Sequence, residues 1–589
     1  MLASCSADER QSDDLVLGPA LVPGGDIPCG ITALLSEQCA SCHGGMLRRG
    51  APMPLMSAGD FQALRSDGQS YASASLFRLR DINRPMPPSG MLSDAQLLAI
   101  ETWLQAGAPS EVQGCGVTQP APEPVAIITS TTGEAGGGST NGAAGGSGDT
   151  GDSTGDSAAS QPVVNEENRW AMFGHDLKNS RANLAETTLG VSNVSGLRRL
   201  WEVPVPSTTS TPAVVDGVVY LPAWDGAVYA LNSDDGSSVW KAELPALIDS
   251  SLAVTDSRIF VSDDKGSLHA LERASGALLW SQRVDPHPAT HLWSSPMYIP
   301  DADLVVVGVA SSEEDQRVSD YSFLGSVVAL HASDGSEAWR FVTGEGAGAG
   351  VAVWATVAID TDRRALYVGT GNAYQAPSGP LSDSMLAIDY QSGALLWSRQ
   401  FTADDVFVVY GGSGPDFDIG STANLFSAGG TDAVGIGVKD GSYYALDRDS
   451  GEVLWSTKIT EGSVLGGVIS ASACDGTTIY VASNDRGPMQ TRTVAINAAD
   501  GQIRWSHDSS ADTYGGLAFA GGVVYLGTTA GHLHAIDAEN GSDLFTDVLP
   551  DSIAAGAAVA EGKLFVPWGY RWTLSNGSAG NGGLIAYGL

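Results

Sequence analysis

Most of the chain alternates between short apolar runs rich in Val, Tyr, Leu and Ala and polar breaks built from Asp, Ser and Gly. Such runs read as strands joined by tight turns. From about residue 198 the alternation is also repetitive. "ALNSDDGSSVW" ends at Trp240, "ALERASGALLW" at Trp280, "ALHASDGSEAW" at Trp339 and "AIDYQSGALLW" at Trp397. "ALDRDSGEVLW" (Trp455), "AINAADGQIRW" (Trp505) and "AIDAENGSDLF" (Phe545) follow. Each unit runs from Ala to an aromatic ten positions later, with Gly six after the Ala. The pattern is a strand, a turn centred on the Gly, and a strand closed by the aromatic.

A sheet of about 40 residues cannot bury both of its faces alone, so the units must cover one another. Radial packing of four-stranded sheets gives a β-propeller. The last repeat, "GGLIAYGL", stops halfway, and its Trp half stands early in "GLRRLWEV" at Trp201. An eighth blade assembled from both ends therefore closes the ring, and the repeat tryptophans are packing residues first. Most intervals between successive aromatics are near 40 residues, but 280 to 339, 339 to 397 and 397 to 455 are longer. Consecutive blades with large loops are where a rigid scaffold carries function.

Residues 26–116 have helical periodicity instead. "CGITALLSE" is a short amphipathic segment. In "MLSDAQLLAIETWLQAG", Ser93 and Gln96 form a capping box, and Leu97, Leu98, Ile100, Trp103 and Leu104 share one face before Gly107. Residues 117–165 read as a linker, built around "GEAGGGSTNGAAGGSGDTGDSTGDSAAS", which is almost all Gly, Ser, Thr, Asp and Ala. The propeller is expected over 166–589, after an N-terminal tail of 1–25.

Charge and cysteines narrow the setting. A net charge of −37 and a pI near 4.3 exclude nucleic acid as a partner and disfavour anionic lipid surfaces. No apolar run is long enough to span a membrane. "EQCASCHGG" contains C-x-x-C-H at Cys39, Cys42 and His43, the spacing of c-type haem attachment, with His43 as the proximal ligand. Cys29 and Cys115 bracket that region and could pair in an oxidising compartment. Cys474 stands alone and reads as a buried thiol. "LASC" offers Cys5 as a lipidated cysteine, the only expected membrane link.

The three long intervals hold charged and polar candidates: Glu313, Glu314 and Asp315 in the first, Trp354 and Asn372 in the second, and Asp416, Asp418 and Lys439 in the third. Oxygen ligands of this kind suit a hard cation.

The segment from about 168 to 589 resembles the pyrroloquinoline-quinone (PQQ) dependent alcohol dehydrogenases, which are eight-bladed propellers. Within them it most resembles the polyvinyl-alcohol dehydrogenase group, whose members carry a cytochrome c domain. The resemblance implies a mainly β eight-bladed propeller preceded by a small all-α class I cytochrome c-like domain. It implies an enzyme that oxidises a small or polymeric alcohol with PQQ and Ca²⁺. "GTGN" implies Asn372 as a metal ligand, and Trp354, eighteen residues earlier, as the floor under the quinone. "VVVGVASSEE" implies Glu313, with Glu314 as the fallback. "KDG" places Lys439 on the quinone oxygens. "DFD" implies Asp416 as the base and Asp418 as an additional ligand, the mark of lanthanide-using relatives; the register leaves Asp418 as the base open. "RPMPPSG" implies Met86 as the distal haem ligand, ahead of Met91, Met53 and Met56. Haem c would then accept the electrons and pass them to a partner such as a soluble cytochrome. Haem attachment implies export, hence a periplasmic or outer-membrane lipoprotein location.

Two family features are missing: adjacent cysteines against the ring, and a clear Arg in "LIDSSLAVTDSR". Two other readings stay open. One is a non-catalytic scaffold fused to an electron carrier; the other is a PQQ sugar or aldehyde dehydrogenase.

Overall fold

A computed structural model describes residues 168–589 except 317, 319, 410, 413, 486–489 and 570–580. It also describes Ile31, Leu35, Asp60, Phe61, Ser75, Ile100, Trp103 and Leu104. Backbone proximity divides the chain into two compact units, Met1–Ser153 and Thr154–Leu589. All eight described positions of the first unit are helical. Phe61 and Trp103 pack edge to face with centroids 4.9 Å apart, and Ile100 and Leu104 of the expected apolar face are buried. Cys5, Cys29, Cys39, Cys42, His43, Met86, Cys115 and residues 117–165 lie outside the described residues.

Among its described residues the second unit holds eight four-stranded antiparallel blades, the seventh of which also takes a short parallel strand, Ala182–Asn183, at its inner edge. Blade 1 spans 213–243, blade 2 253–283, blade 3 297–342 and blade 4 358–400. Blades 5, 6 and 7 span 424–458, 473–509 and 518–548. Blade 8 joins three strands from 558–588 to Arg198–Pro206, so both ends of the domain build one sheet.

The repeat motif has a direct physical cause. Each Trp of one blade lies on the turn glycine of the next. A Cβ on Gly276 would meet the Trp240 ring at 2.6 Å, and one on Gly541 would meet Trp505 at 2.8 Å. These glycines have φ of +72° and +79°, which also favours Gly. The indole N–H then donates to that blade's backbone: Trp240 to Arg273 at 3.1 Å, Trp339 to Tyr390 at 2.8 Å. Trp201 does the same to Ser233 of blade 1, which closes the ring. The spacing of Gly and Trp is thus set by contacts between blades.

The stretch "NRWAMFGHDLKNSRAN" forms no repeat, yet it touches the innermost strands around the ring. Trp170 bridges Val214 of blade 1, and Ala171 accepts from Val254 of blade 2. Leu177, Lys178, Ser180 and Arg181 accept from Ile359, Leu425, Cys474 and Phe519 of blades 4 to 7. Asn183 donates to Val559 of blade 8 at 2.8 Å. Arg181 is fully buried; its guanidinium faces backbone carbonyls of Gly516 and Ala557 and the rings of Phe173 and Trp170. The axial segment therefore laces the ring together. Cys474 is buried and free, with its thiol pushed up to about 12 by burial.

The long intervals add small pairs beside blades 3 to 5: Thr290–His291 on blade 3, Ala349–Gly350 with Ala373–Gln375, and Phe407–Val408 with Gly411–Gly412. A one-turn 3₁₀ helix, Glu313–Asp315, follows the second strand of blade 3. No described helix is long and apolar enough to cross a membrane.

Candidate active site

The added loops bring the third interval's residues together around one lysine. Lys439 Nζ lies 3.0 Å from Asp416 Oδ1, 2.7 Å from Asp418 Oδ2, and 5.6 Å from the centre of the Trp354 ring. All three charged residues are buried. Burial works against the ammonium charge, but Asp418, Asp416 and Glu314 outweigh it and hold Lys439 charged.

Asp416 sits at φ +61°, a left-handed conformation that Asp tolerates better than most residues. Strain of this kind persists only when neighbours hold it. Asp405 holds it here: its carboxylate accepts from the backbone N–H of Asp416 at 3.3 Å and of Phe417 at 2.9 Å. Asp418 accepts from the N–H of Asn372 at 2.8 Å, tying "DFD" to "GTGN". The Asn372 amide donates to the carbonyls of Ala373 and Phe407 at 2.8 and 2.7 Å. Both of its N–H groups are thereby used, leaving Oδ1 as an acceptor only.

Negative charge exceeds what one lysine can balance. Burial and the Asp418 charge push Asp416 up to about 9. Burial, then Asp418, pushes Glu314 up to about 8. Asp383 is wholly buried, neither carboxyl oxygen has a hydrogen-bond partner, and burial with Asp418 and Asp405 raises it strongly. Without a cation, protons must neutralise several of these groups. Sequence reading did not single out Asp383 or Asp405. Asp383 lies in a turn and Asp405 follows Asp404 in a loop, where Asp is common, and nothing local marks them.

The two adjacent glutamates behave differently. Glu313 is buried in its own loop, where its carboxylate accepts from Phe323 N–H at 2.8 Å and from Ser322 N–H at 3.1 Å. His287 lies 3.7 Å from it. Glu314 is half-buried and interacts electrostatically with Asp418, Lys439 and Asp405. Asp315 is half-buried; burial raises it and the His291 charge opposes that shift.

Trp354 is half-buried beside the axis. Gly420 lies against its indole so closely that a Cβ there would sit 1.6 Å from a ring carbon. A Cβ on Gly371 would be 3.5 Å from Trp354 Nε1 and 3.4 Å from Asp418 Oδ1. An axial cavity of about 120 Å³ opens beside Trp354, lined also by Trp293, Thr209, Ser251, Thr356 and Gly516.

These features can be tested against the groups that the sequence resemblance implies. A hard cation fits: the donors are all oxygens, from carboxylates and the acceptor side of Asn372, and an orphaned buried carboxyl lies behind them. A flat aromatic cofactor fits a partly open indole flanked by glycines, with an ammonium 5.6 Å from the ring centre.

The family model described as outer membrane protein assembly factor BamB matches residues 190–403 and 439–573. A polyvinylalcohol dehydrogenase of Sphingopyxis sp. (strain 113P3) is 28% identical over 495 residues, covering 70% of this chain and 74% of that protein. A polyvinylalcohol dehydrogenase of Pseudomonas sp is 26% identical over 473 residues, covering 68% and 73%. Among solved structures, the quinohemoprotein alcohol dehydrogenase of Comamonas testosteroni superposes with a TM-score of 0.60 at 18% identity, covering 72% of this chain and 81% of that one, and so shares the fold. With the model matched over more than half of its length, the chain belongs to the propeller family described as outer membrane protein assembly factor BamB, and its matched relatives include polyvinylalcohol dehydrogenases.

Proposed function

We propose that this protein is a PQQ-dependent alcohol dehydrogenase that delivers electrons to a haem c carried by its own N-terminal region. The observation that carries the reading is the buried cluster of Asp416, Asp418 and Lys439 against Trp354, inside the expanded sector of the ring. Glu314, Asn372, Asp416 and Asp418 would hold the metal, with Glu314 in the place that sequence spacing gives to Glu313. Ca²⁺ is the expected ion; the pair Asp416 and Asp418 also offers the charge a lanthanide needs. Trp354 would form the floor for the quinone, and Lys439 would contact its oxygens.

PQQ, when bound, supplies a two-electron acceptor for the hydride of the alcohol carbon. The chain's own groups do the rest. With a cation among these oxygens, Asp416 is ionised at neutral pH and takes the hydroxyl proton. Asp405 fixes the turn that aims Asp416. Lys439 stabilises negative charge in a buried site where such interactions are strong. Trp354 and the surrounding loops exclude water from the reacting face.

Cys39, Cys42, His43 and Met86 would hold the haem in an all-α cytochrome domain over 26–116, joined by the linker of 117–165. Thioether attachment supports an extracytoplasmic location, with Cys5 as the lipid anchor and a soluble cytochrome as downstream acceptor. The relatives' names support an alcohol substrate, including polyvinyl alcohol.

The family model's name favours a scaffold as the second reading. A scaffold has no use for buried carboxyls that repel one another. The test is spectroscopic. Protein from a haem-maturing host is given PQQ and Ca²⁺, then small alcohols and polyvinyl alcohol in turn. Haem bands should shift to the reduced form only with quinone and substrate together. Haem reduction without quinone, or no quinone binding, overturns the reading.

A further inference from the structure

A second cluster lies away from the expanded sector, where the outer part of blade 6 meets blade 7. His507 is on the outermost strand of blade 6 (Ile503–Ser509). His534 is on the third strand of blade 7 (His532–Asp537), and Asp543 begins the fourth (Asp543–Val548). One ligand atom from each lies within 4.8 Å of the others.

The hydrogen bonds fix the chemistry. His507 Nδ1 is 3.2 Å from the carbonyl oxygen of Gly541. A carbonyl only accepts, so Nδ1 carries the proton and Nε2 presents a lone pair. That Nε2 is buried and has no hydrogen-bond partner. A ligating histidine is commonly oriented by just such a bond from its other nitrogen to a backbone carbonyl. Nε2 points toward Asp543, whose Oδ1 is 3.9 Å away, and the same oxygen is 3.1 Å from His534 Nδ1. Ligand bonds of about 2.0–2.1 Å place neighbouring tetrahedral donors roughly 3.4 Å apart, between those two distances. The donor set is two imidazoles and a carboxylate, which suits Zn²⁺ and its borderline neighbours rather than Ca²⁺.

Propeller packing does not demand these residues. The position of His507, two after the repeat aromatic, is Ala242, Phe341 and Thr457 in other blades. Thr457 uses its hydroxyl on the equivalent carbonyl of Gly501 and leaves nothing unpaired. The position of His534 is Tyr229, Val328, Leu386, Tyr444 or Val494 in other blades, and His269 in blade 2, where the imidazole is taken up by Asp263 at 2.9 Å.

We propose that His507, His534 and Asp543 bind a borderline divalent cation of the Zn²⁺ class, which clips blade 6 to blade 7. Asp543 is exposed, so the fourth position opens to water. Binding at His534 Nδ1 shifts that ring's single proton to Nε2, so the imidazole ligates as a neutral tautomer.

The test uses the full chain, stripped of transition metals and kept in excess Ca²⁺ so that the oxygen-rich site is occupied. ZnCl₂ is titrated calorimetrically into the wild type and into the double variant His507→Gln, His534→Gln. The wild type should bind one more Zn²⁺ per chain than the variant. Its melting midpoint should rise with Zn²⁺ and fall back on chelation, while the variant's stays fixed. If the double variant does not fold, Asp543→Asn at the exposed position should weaken Zn²⁺ binding by about tenfold or more. Equal stoichiometry and affinity in the wild type and the folded variant overturns the proposal.

Discussion

The expanded blades 3 to 5 and the regular blades 1, 2, 6 and 7 solve the burial of carboxyl groups in opposite ways. In blade 2, Asp263 is as buried as Asp416, but it accepts from His269 at 2.9 Å and from the N–H groups of Ser267 and Lys265. Burial works against its charge, yet those donors win and lower it. In the expanded sector Asp416 faces Asp418 and Glu314, and one lysine does not suffice. The first arrangement is stable as it stands. The second is complete only with more positive charge, which is the property of a site.

The largest effect should come from Asp416. Asp416→Asn removes the base and should lower quinone-dependent dye reduction by about a thousandfold with either Ca²⁺ or La³⁺. Asp418→Asn should lose activity chiefly with La³⁺. Neither should destabilise the fold, since each relieves repulsion. Asp263→Asn should do the reverse, lowering the melting midpoint and sparing turnover. Full activity in Asp416→Asn would remove "DFD" from the chemistry.

Tryptophans sharpen the same contrast. Trp505 is buried on Gly541 and donates to Ala538 at 2.9 Å. Trp505→Ala should cost about 3–5 kcal/mol in denaturant unfolding. Trp354 is half-buried, and Trp354→Ala should cost about 1 kcal/mol while weakening quinone binding more than tenfold. A large stability loss at Trp354 would make it a packing residue like the others.

A pH effect of intermediate size follows from the raised carboxyls. Asp416 and Glu314 keep protons in the folded, metal-free protein up to about 9 and about 8. The unfolded chain releases them near pH 4. The folded state therefore binds more protons between these values, and stability should fall as pH rises from about 4 to 9. Melting curves with chelator should show this decline, and added Ca²⁺ should flatten it. A metal-free profile that does not decline means these carboxyls are not crowded.

Sequence periodicity exposes the ring because Gly and Trp meet at seven of the eight blade junctions, with Phe545 against Tyr587 at the remaining one, so the same spacing must recur. The unequal intervals expose the sector, because a loop added to a blade lengthens its repeat. The axial segment was not legible: residues 170–183 bond mainly through backbone groups, which any side chain supplies. Arg181 shares the stretch with Asp176 and Lys178, so its charge does not single it out, and its partners are carbonyls from distant blades. Asp383 and Asp405 were hidden for a related reason. Their significance lies in which carboxyls they face, and that depends on loops from two blades.

The smallest and most discriminating comparison lies between Glu313 and Glu314. They are neighbours on one 3₁₀ turn, so their side chains leave in different directions and spacing cannot choose between them. Glu313 already serves two backbone N–H groups of its own loop, and turning it toward a cation would leave the Phe323 N–H buried and unpaired, at a cost of about 1–3 kcal/mol, and would also release the Ser322 N–H. Glu314 loses nothing by ligating, and a cation relieves its repulsion with Asp418. Glu314→Gln should therefore weaken Ca²⁺ binding on the order of tenfold, read by calorimetry on the full chain. Glu313→Gln keeps an acceptor oxygen for Phe323 and should change Ca²⁺ affinity by less than about threefold, with a melting midpoint lowered by a few degrees. The opposite ranking would show that Glu313 abandons its loop on metal binding, and the expanded sector would then include a segment that rearranges around its ion.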